Sequence, residues 1–306
     1  MLGIEQIGTY IPSQRISNYD RQEQFGIDSH FIEKKIGVRS VSRKSAQEET
    51  SDLGQRAVES LVKRSNLDLA TVELLVVVTQ TPDYSIPHTS ALLHGRLGLD
   101  TQCACFDISL GCSGFVYGLS VVKSFMESNG LKRGILVTAD PYSKVVDPND
   151  KNTTLLFGDA AAATLISDHP VLVPGAFTFG SMGGEYDKLI CRDGVLSMNG
   201  RAVFNFAAKQ IPGDLRLMAE KNNIALEKID RFLLHQGSLI IVETITAKLG
   251  LEPGRVPFSA GDFGNSCSST IPILLIDEID DPTVKTIAVS GFGVGLSWAS
   301  TLLRRV

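Results

Sequence analysis

The chain has 306 residues, 43% hydrophobic and 21% charged, which suits one large or two smaller folded domains and excludes a disordered chain. Its 29 Lys+Arg against 34 Asp+Glu give a net charge of −5, so no general excess of positive charge is available to meet nucleic-acid phosphates. No run approaches the roughly 20 apolar residues that cross a bilayer. The opening MLGIEQIGTYIPSQR does not read as a signal peptide, so a soluble, cytoplasmic protein that avoids membranes is expected.

Helical and strand patterns alternate along the chain. Residues 50–65 set Leu53, Ala57, Leu61 and Val62 at helical spacing, with Thr50 or Ser51 as the cap. LLVVV at 74–78 reads as a buried strand in a segment ended by Pro82. HTSALLHGRLGL is a helix closed by Gly98, ACFDISL is a strand, and CSGFVYGLSVVKSFMES is a helix opening at Cys112. GILVTADP is a strand, and AAAATLISD starts another apolar segment. Beyond it, 198–222 reads as a helix interrupted at Pro212, and RFLLHQGS as a strand running into a turn. LIIVETITAKLGL and SSTIPILLIDEI are helices, TIAVSGFGVG is a strand ending in a glycine loop, and WASTLLRRV is a last strand.

The alternation makes this an α/β protein. Three echoes suggest an internal duplication: LLVVVTQTP with RFLLHQGS, CSGFVYGLSVV with SCSSTIPILLI, and GILVTADP with TIAVSGFGVG. The loop SDHPVLVPG divides the halves, giving units 1–168 and 169–306.

Cys103, Cys105, Cys112, Cys191 and Cys267 are odd in number and contain no CxxC pair, so neither a disulfide framework nor a zinc site is expected. Cys112 follows a strand and a glycine and opens a helix, a position where the helix dipole favours thiolate. By that setting alone a buried structural thiol is the commoner outcome. His235 ends the strand FLLH beside a glycine turn, where a side chain can point into a cleft. Asn265, in DFGNSCSS, is good turn chemistry and equally a side-chain amide that could hold a carbonyl. GFGVGLSW at 291–298 lacks the spacing of a dinucleotide fingerprint and precedes no helix, but its backbone N–H groups could face an oxyanion.

Together these segments resemble the β-ketoacyl-ACP synthase III family of condensing enzymes, in the thiolase superfamily. The likeness runs through IGVRS, FDISLGCSGFVYGL, LLFGDAAAATLI, MNGRAVF, LLHQGS, FGNSCSSTIP and GFGVGLSWAS, in family order. It implies the thiolase fold, two similar halves in a five-layered αβαβα arrangement, and a homodimer. It implies a catalytic Cys112, His235 and Asn265, with an oxyanion hole from the N–H groups of Cys112 and Val294. Cys112 would take an acyl group from acyl-CoA. Malonyl-ACP or malonyl-CoA would then lose CO₂, with His235 and Asn265 donating to its thioester oxygen. No metal or redox cofactor is implied, since acyl-CoA is a substrate. Phe157 and Met198 would line the cleft, Gly200 would admit a pantetheine arm, and Phe31, Lys35 and Lys151 would surround the CoA nucleotide.

Some positions depart from the family's pattern. The motif reads His235-Gln236-Gly237-Ser238, with Ser238 in place of an Asn. Ile240 stands where a carrier-docking Arg is common, and Lys248 survives from a neighbouring basic pair whose other member is Leu249. Ile86 stands where acetyl-specific relatives have a Phe closing the acyl pocket, which implies a longer or branched primer. A specialised condensing enzyme or acyltransferase of secondary metabolism is the alternative, and a non-catalytic partner subunit is a weaker one.

Overall fold

The computed structural model describes all residues, Met1–Val306. Nine strands form the main sheet: β1 Gly3–Tyr10, β2 Leu74–Val78, β3 Ala104–Ile108, β4 Arg133–Ala139, β5 Ala161–Ser167, β6 Leu172–Ser181, β7 Arg231–Leu234, β8 Thr286–Gly293 and β9 Ser297–Arg305. Their spatial order is β7-β8-β9-β6-β1-β5-β4-β2-β3. The join at its middle is slight, one pairing of Ile4 with Leu172. On each side of that join the pattern repeats. β1, β5 and β4 are antiparallel neighbours, and β2 and β3 follow in parallel. β6, β9 and β8 are antiparallel neighbours, and β7 follows in parallel.

Six longer helices cover these half-sheets: α1 Thr50–Ser65, α2 Thr89–Leu97, α3 Gly114–Asn129, α4 Gly200–Lys221, α5 Leu239–Leu249 and α6 Thr270–Asp280. The period-2 alternation of the strands sorts them into layers. Leu74, Val76 and Val78 of β2 pack inward with α3, α6 and Leu233 of β7. Leu75 and Val77 pack outward against Leu53, Ala57 and Leu61 of α1. Phe232 and Leu234 of β7 pack outward against α4 and α5. The result is five layers, αβαβα, with α3 and α6 in the middle. LLVVV is apolar at every position because both of its faces are covered.

Two local expectations are corrected. Neither Thr50 nor Ser51 caps α1. Glu49 is the N-cap, and the Asp52 carboxylate accepts its N–H at 2.7 Å. Thr50 and Ser51 are spent instead on the loop after β2, donating to the Thr81 carbonyl and the Asp83 carboxylate. Nor does Pro212 interrupt its helix, since α4 runs unbroken through it. Pro212 has no N–H for the carbonyl four residues earlier, that of Ala208. Lys248 Nζ donates to that oxygen at 2.9 Å.

The site is a consequence of this layering. α3 and α6 are the two inner helices, and their N-termini face each other. β7 and β8 end beside them.

Candidate active site

Cys112 lies in the turn between β3 and α3 and is 3% exposed. The end of β8 passes directly over it. A side-chain carbon at Gly293 would lie 2.7 Å from the Cys112 sulfur, and one at Gly291 would lie 2.7 Å from the Cys112 carbonyl oxygen. Only glycine permits that approach. It brings the Val294 N–H onto the Cys112 sulfur as a donor.

His235 continues the line of β7, its N–H donating to the Ser290 carbonyl at 2.9 Å. Its Nδ1 meets the Thr270 hydroxyl at 2.9 Å, and that hydroxyl also reaches the Cys267 carbonyl at 3.1 Å. Asn265 is held by its backbone, donating to Leu156 at 2.7 Å and accepting from Gly158 at 3.0 Å. Its Oδ1 accepts the Cys267 N–H at 2.8 Å, which turns the amide Nδ2 toward His235 Nε2 at 3.4 Å. The amide orientation thus follows from a backbone donor that only an oxygen can accept.

Cys267, at the entry to α6, sets its sulfur 3.7 Å from that of Cys112. Its S–H holds the Cys112 thiol well below the usual thiol range, aided by His235 and by the Val294 N–H, against burial. Burial pushes Cys267 itself well up, and the facing Cys112 charge adds to the effect. The charge belongs on Cys112, since burial and the Asp140 carboxyl disfavour it on Cys267 and only the Tyr142 hydroxyl opposes them there. Burial also keeps the Tyr142 phenol protonated and pushes the Asp140 carboxyl up to about 6.

Cys112, His235 and Asn265 line one apolar cavity of about 140 Å³. Phe157, Met198, Gly200 and Ser238 line it too. Phe31, Lys35, Lys151 and Ile86 do not. Lys151 Nζ stands 5.0 Å over the Phe31 ring, a cation–aromatic pair away from the cavity. Ile86 is 88% exposed. Ile240, read from the sequence at a carrier-docking position, lines the cavity. A second cavity of about 380 Å³ lies beyond Leu189, lined by Gln80, Tyr142, Leu196 and Val294. Leu189 lines both.

Sequence reasoning passed over Cys267, Thr270, Asp140 and Tyr142. Cys267 and Thr270 lie in a run of small residues read only as a helix entrance. The echo of that run with the Cys112 segment was the available signal, since matching entrances to paired inner helices must meet.

Known proteins match this arrangement. The profiles of 3-oxoacyl-[acyl-carrier-protein] synthase III and of its C-terminal part match residues 106–181 and 219–305. A β-ketoacyl-[acyl-carrier-protein] synthase III of Streptococcus mutans is 31% identical, with 98% of each chain covered. The chain belongs to the 3-oxoacyl-[acyl-carrier-protein] synthase III family. The family's enzyme from Thermus thermophilus has a solved structure with 29% identity, 99% of each chain covered and a TM-score of 0.92. The priming β-ketosynthase of the R1128 polyketide pathway matches at 26% identity and a TM-score of 0.91, over 100% of this chain and 96% of its own. The αβαβα layering of this synthase III family member is therefore the thiolase fold, and the chain is a condensing acyltransferase. No helix is long and apolar enough to cross a membrane.

Proposed function

We propose that this chain condenses an acyl-CoA primer with malonyl-ACP, releasing CO₂ and opening fatty-acid synthesis, with Cys112 carrying the primer. The observation that carries this reading is a depressed Cys112 thiol sharing one cavity with His235 and Asn265. Cys112 thiolate attacks the thioester carbonyl. The Val294 and Cys112 N–H groups hold the oxyanion, and CoA leaves as the thiol with the proton that His235 took from Cys112. Malonyl thioester then occupies the vacated cavity. His235 Nε2–H and the Asn265 amide donate to its carbonyl oxygen and stabilise the enolate left when CO₂ departs. The enolate carbon attacks the acyl-Cys112 carbonyl, and the Cys112 thiolate leaves.

Thr270 suits His235 to both half-reactions. Its hydroxyl can donate to Nδ1, leaving the proton on Nε2 for the enolate. When the imidazole is charged, it can instead accept from Nδ1–H and donate to the Cys267 carbonyl.

In this reading Phe31, Lys35 and Lys151 meet the CoA nucleotide, Gly200 lets the pantetheine arm pass, and Ser238 lines its path. Units 1–168 and 169–306 are the duplicated halves. The chain pairs with a second copy through β3, an edge strand half-buried along its whole length, which brings the exposed Ile86 to the partner's acyl pocket. The 380 Å³ cavity beyond Leu189 supports a medium-chain or branched primer.

A second reading is a priming enzyme of specialised metabolism. Ile240 carries no charge and faces the cavity, so the carrier-docking cation of the family pattern is missing there and exposed Lys248 stands without it. One experiment separates the readings. Intact mass after incubation with a panel of acyl-CoAs identifies the donor through an adduct absent from Cys112→Ala. Added malonyl-ACP should convert the adduct to β-ketoacyl product. An adduct that malonyl-ACP leaves untouched, while small nucleophiles discharge it, overturns the condensation reading.

A further inference from the structure

The Cys112–Cys267 contact has a consequence beyond condensation. The two sulfurs are 3.7 Å apart although their residues are 155 positions apart in sequence. Both side chains are buried, Cys112 at 3% exposure and Cys267 at 0%. Only Cys112 opens on the cavity, while Cys267 sits behind it against Gly111. One sulfur is therefore reachable by a small molecule, and the other is within reach of the first alone.

We propose that Cys112 and Cys267 are an intramolecular redox pair, closed to a disulfide by hydroperoxides and reopened by dithiols. In the first step the Cys112 thiolate attacks one oxygen of hydrogen peroxide. The O–O bond breaks, water forms with a proton from solvent, and Cys112 becomes a sulfenic acid. In the second step the Cys267 sulfur attacks the Cys112 sulfur. The S–O bond breaks, and the hydroxyl leaves with the Cys267 proton as water. Two thiols and one peroxide give one disulfide and two waters, the sulfurs losing the two electrons that the peroxide gains.

The contact must shorten to about 2.05 Å, a movement of roughly 1.7 Å. The short turn Cys267–Ser269 carries it, with Cys267 already at φ +53° rather than in the α6 helix. The unequal roles match the chemistry of such pairs: an accessible thiolate reacts first, and a shielded thiol resolves it. The disulfide blocks acylation while it lasts and keeps Cys112 from further oxidation.

The test is read as mass, so it stands whether or not the chain performs the condensation. The full-length protein is treated with hydrogen peroxide in the absence of acyl-CoA, alkylated under denaturing conditions and digested without reduction. The expected result is loss of two hydrogens from the intact mass and a linked peptide whose fragmentation places the bond on Cys112 and Cys267. Dithiothreitol should restore two alkylatable thiols. In Cys267→Ser, and in Cys267→Ala should the first not fold, Cys112 should instead gain two or three oxygens that dithiothreitol does not remove. Wild-type protein that gains oxygens on Cys112 while Cys267 remains alkylatable overturns the proposal. So does a variant that still loses two hydrogens.

Discussion

Lys248 Nζ donates to the Ala208 carbonyl at 2.9 Å, the oxygen that Pro212 leaves without a helical partner. A substitution on α5 therefore acts on α4. Lys248→Met should lower stability by about 1 kcal/mol, the usual cost of losing such a bond at a partly wetted carbonyl. In a Pro212→Ala background the helix supplies its own N–H, and the same substitution should cost close to nothing. Urea denaturation of the four proteins measures this coupling. Equal losses in both backgrounds would mean that Lys248 has some other role.

Thr270 ties His235 to the entrance of α6, touching Nδ1 at 2.9 Å. Thr270→Val keeps the shape and removes the hydroxyl. Acylation of Cys112 rests first on the Cys267 S–H, with His235 and the Val294 N–H adding to it, so it should fall less than decarboxylation. Decarboxylation needs a correctly aimed Nε2–H and should fall on the order of tenfold or more. Single-turnover acylation and CO₂ release from malonyl-ACP measure the two steps separately. Thr270→Ser should restore the second step. A variant slowed equally in both steps would point to a general loss of structure.

Much of this was open to the sequence. Most strands of the main sheet announced themselves because they are buried on both faces, as LLVVV shows, whereas β1 and β6, only partly buried, carry no such signal, and β6 begins inside the SDHPVLVPG segment that reads as a loop. Cys112, His235 and Asn265 stand where strand ends and small-residue turns put them. What stayed hidden depends on contacts across the chain. Thr50 and Ser51 looked like caps because a one-dimensional reading cannot see the Thr81 carbonyl and Asp83 that claim their hydroxyls. Pro212 looked like a break because the lysine that replaces its N–H lies 36 residues further on. Ile240 was legible only as the position of a docking Arg, because a family pattern names a position and does not say which side of α5 meets the cavity.

Asp140 is a buried carboxyl at 0% exposure, accepting from the Gln80 N–H at 2.7 Å and from the Ser268 hydroxyl. Burial outweighs these donors and pushes the group up to about 6, from an ordinary 3.8. A carboxyl raised on folding favours the folded state while it is protonated. Its contribution is complete below the unfolded value and is lost as pH rises through the folded one. The wild type should therefore lose about 2 kcal/mol of relative stability between pH 4 and pH 7 from this group. Asp140→Asn cannot titrate and should lack that component. The difference between the two proteins, from denaturation at a series of pH values, isolates it. A difference independent of pH would show that Asp140 is already ionised at pH 4.

Leu189 separates the cavity beside Cys112 from the 380 Å³ cavity on its far side. It sits on a hairpin strand, Leu189–Arg192, paired with Val195–Met198, whose last residue also lines the first cavity. Truncation to Ala should join the two spaces without moving Cys112, His235 or Asn265. The wall is 3% exposed, so the change should cost about 2–3 kcal/mol in stability. In return a longer acyl chain gains apolar surface to lie against, while a short one loses a wall that held it. Relative kcat/KM for medium-chain over acetyl donors should rise on the order of tenfold. Competition between paired acyl-CoAs, read as the ratio of Cys112 adducts by intact mass, measures this directly. An unchanged ratio would place the acyl chain elsewhere, because only a chain running past Leu189 can sense its loss.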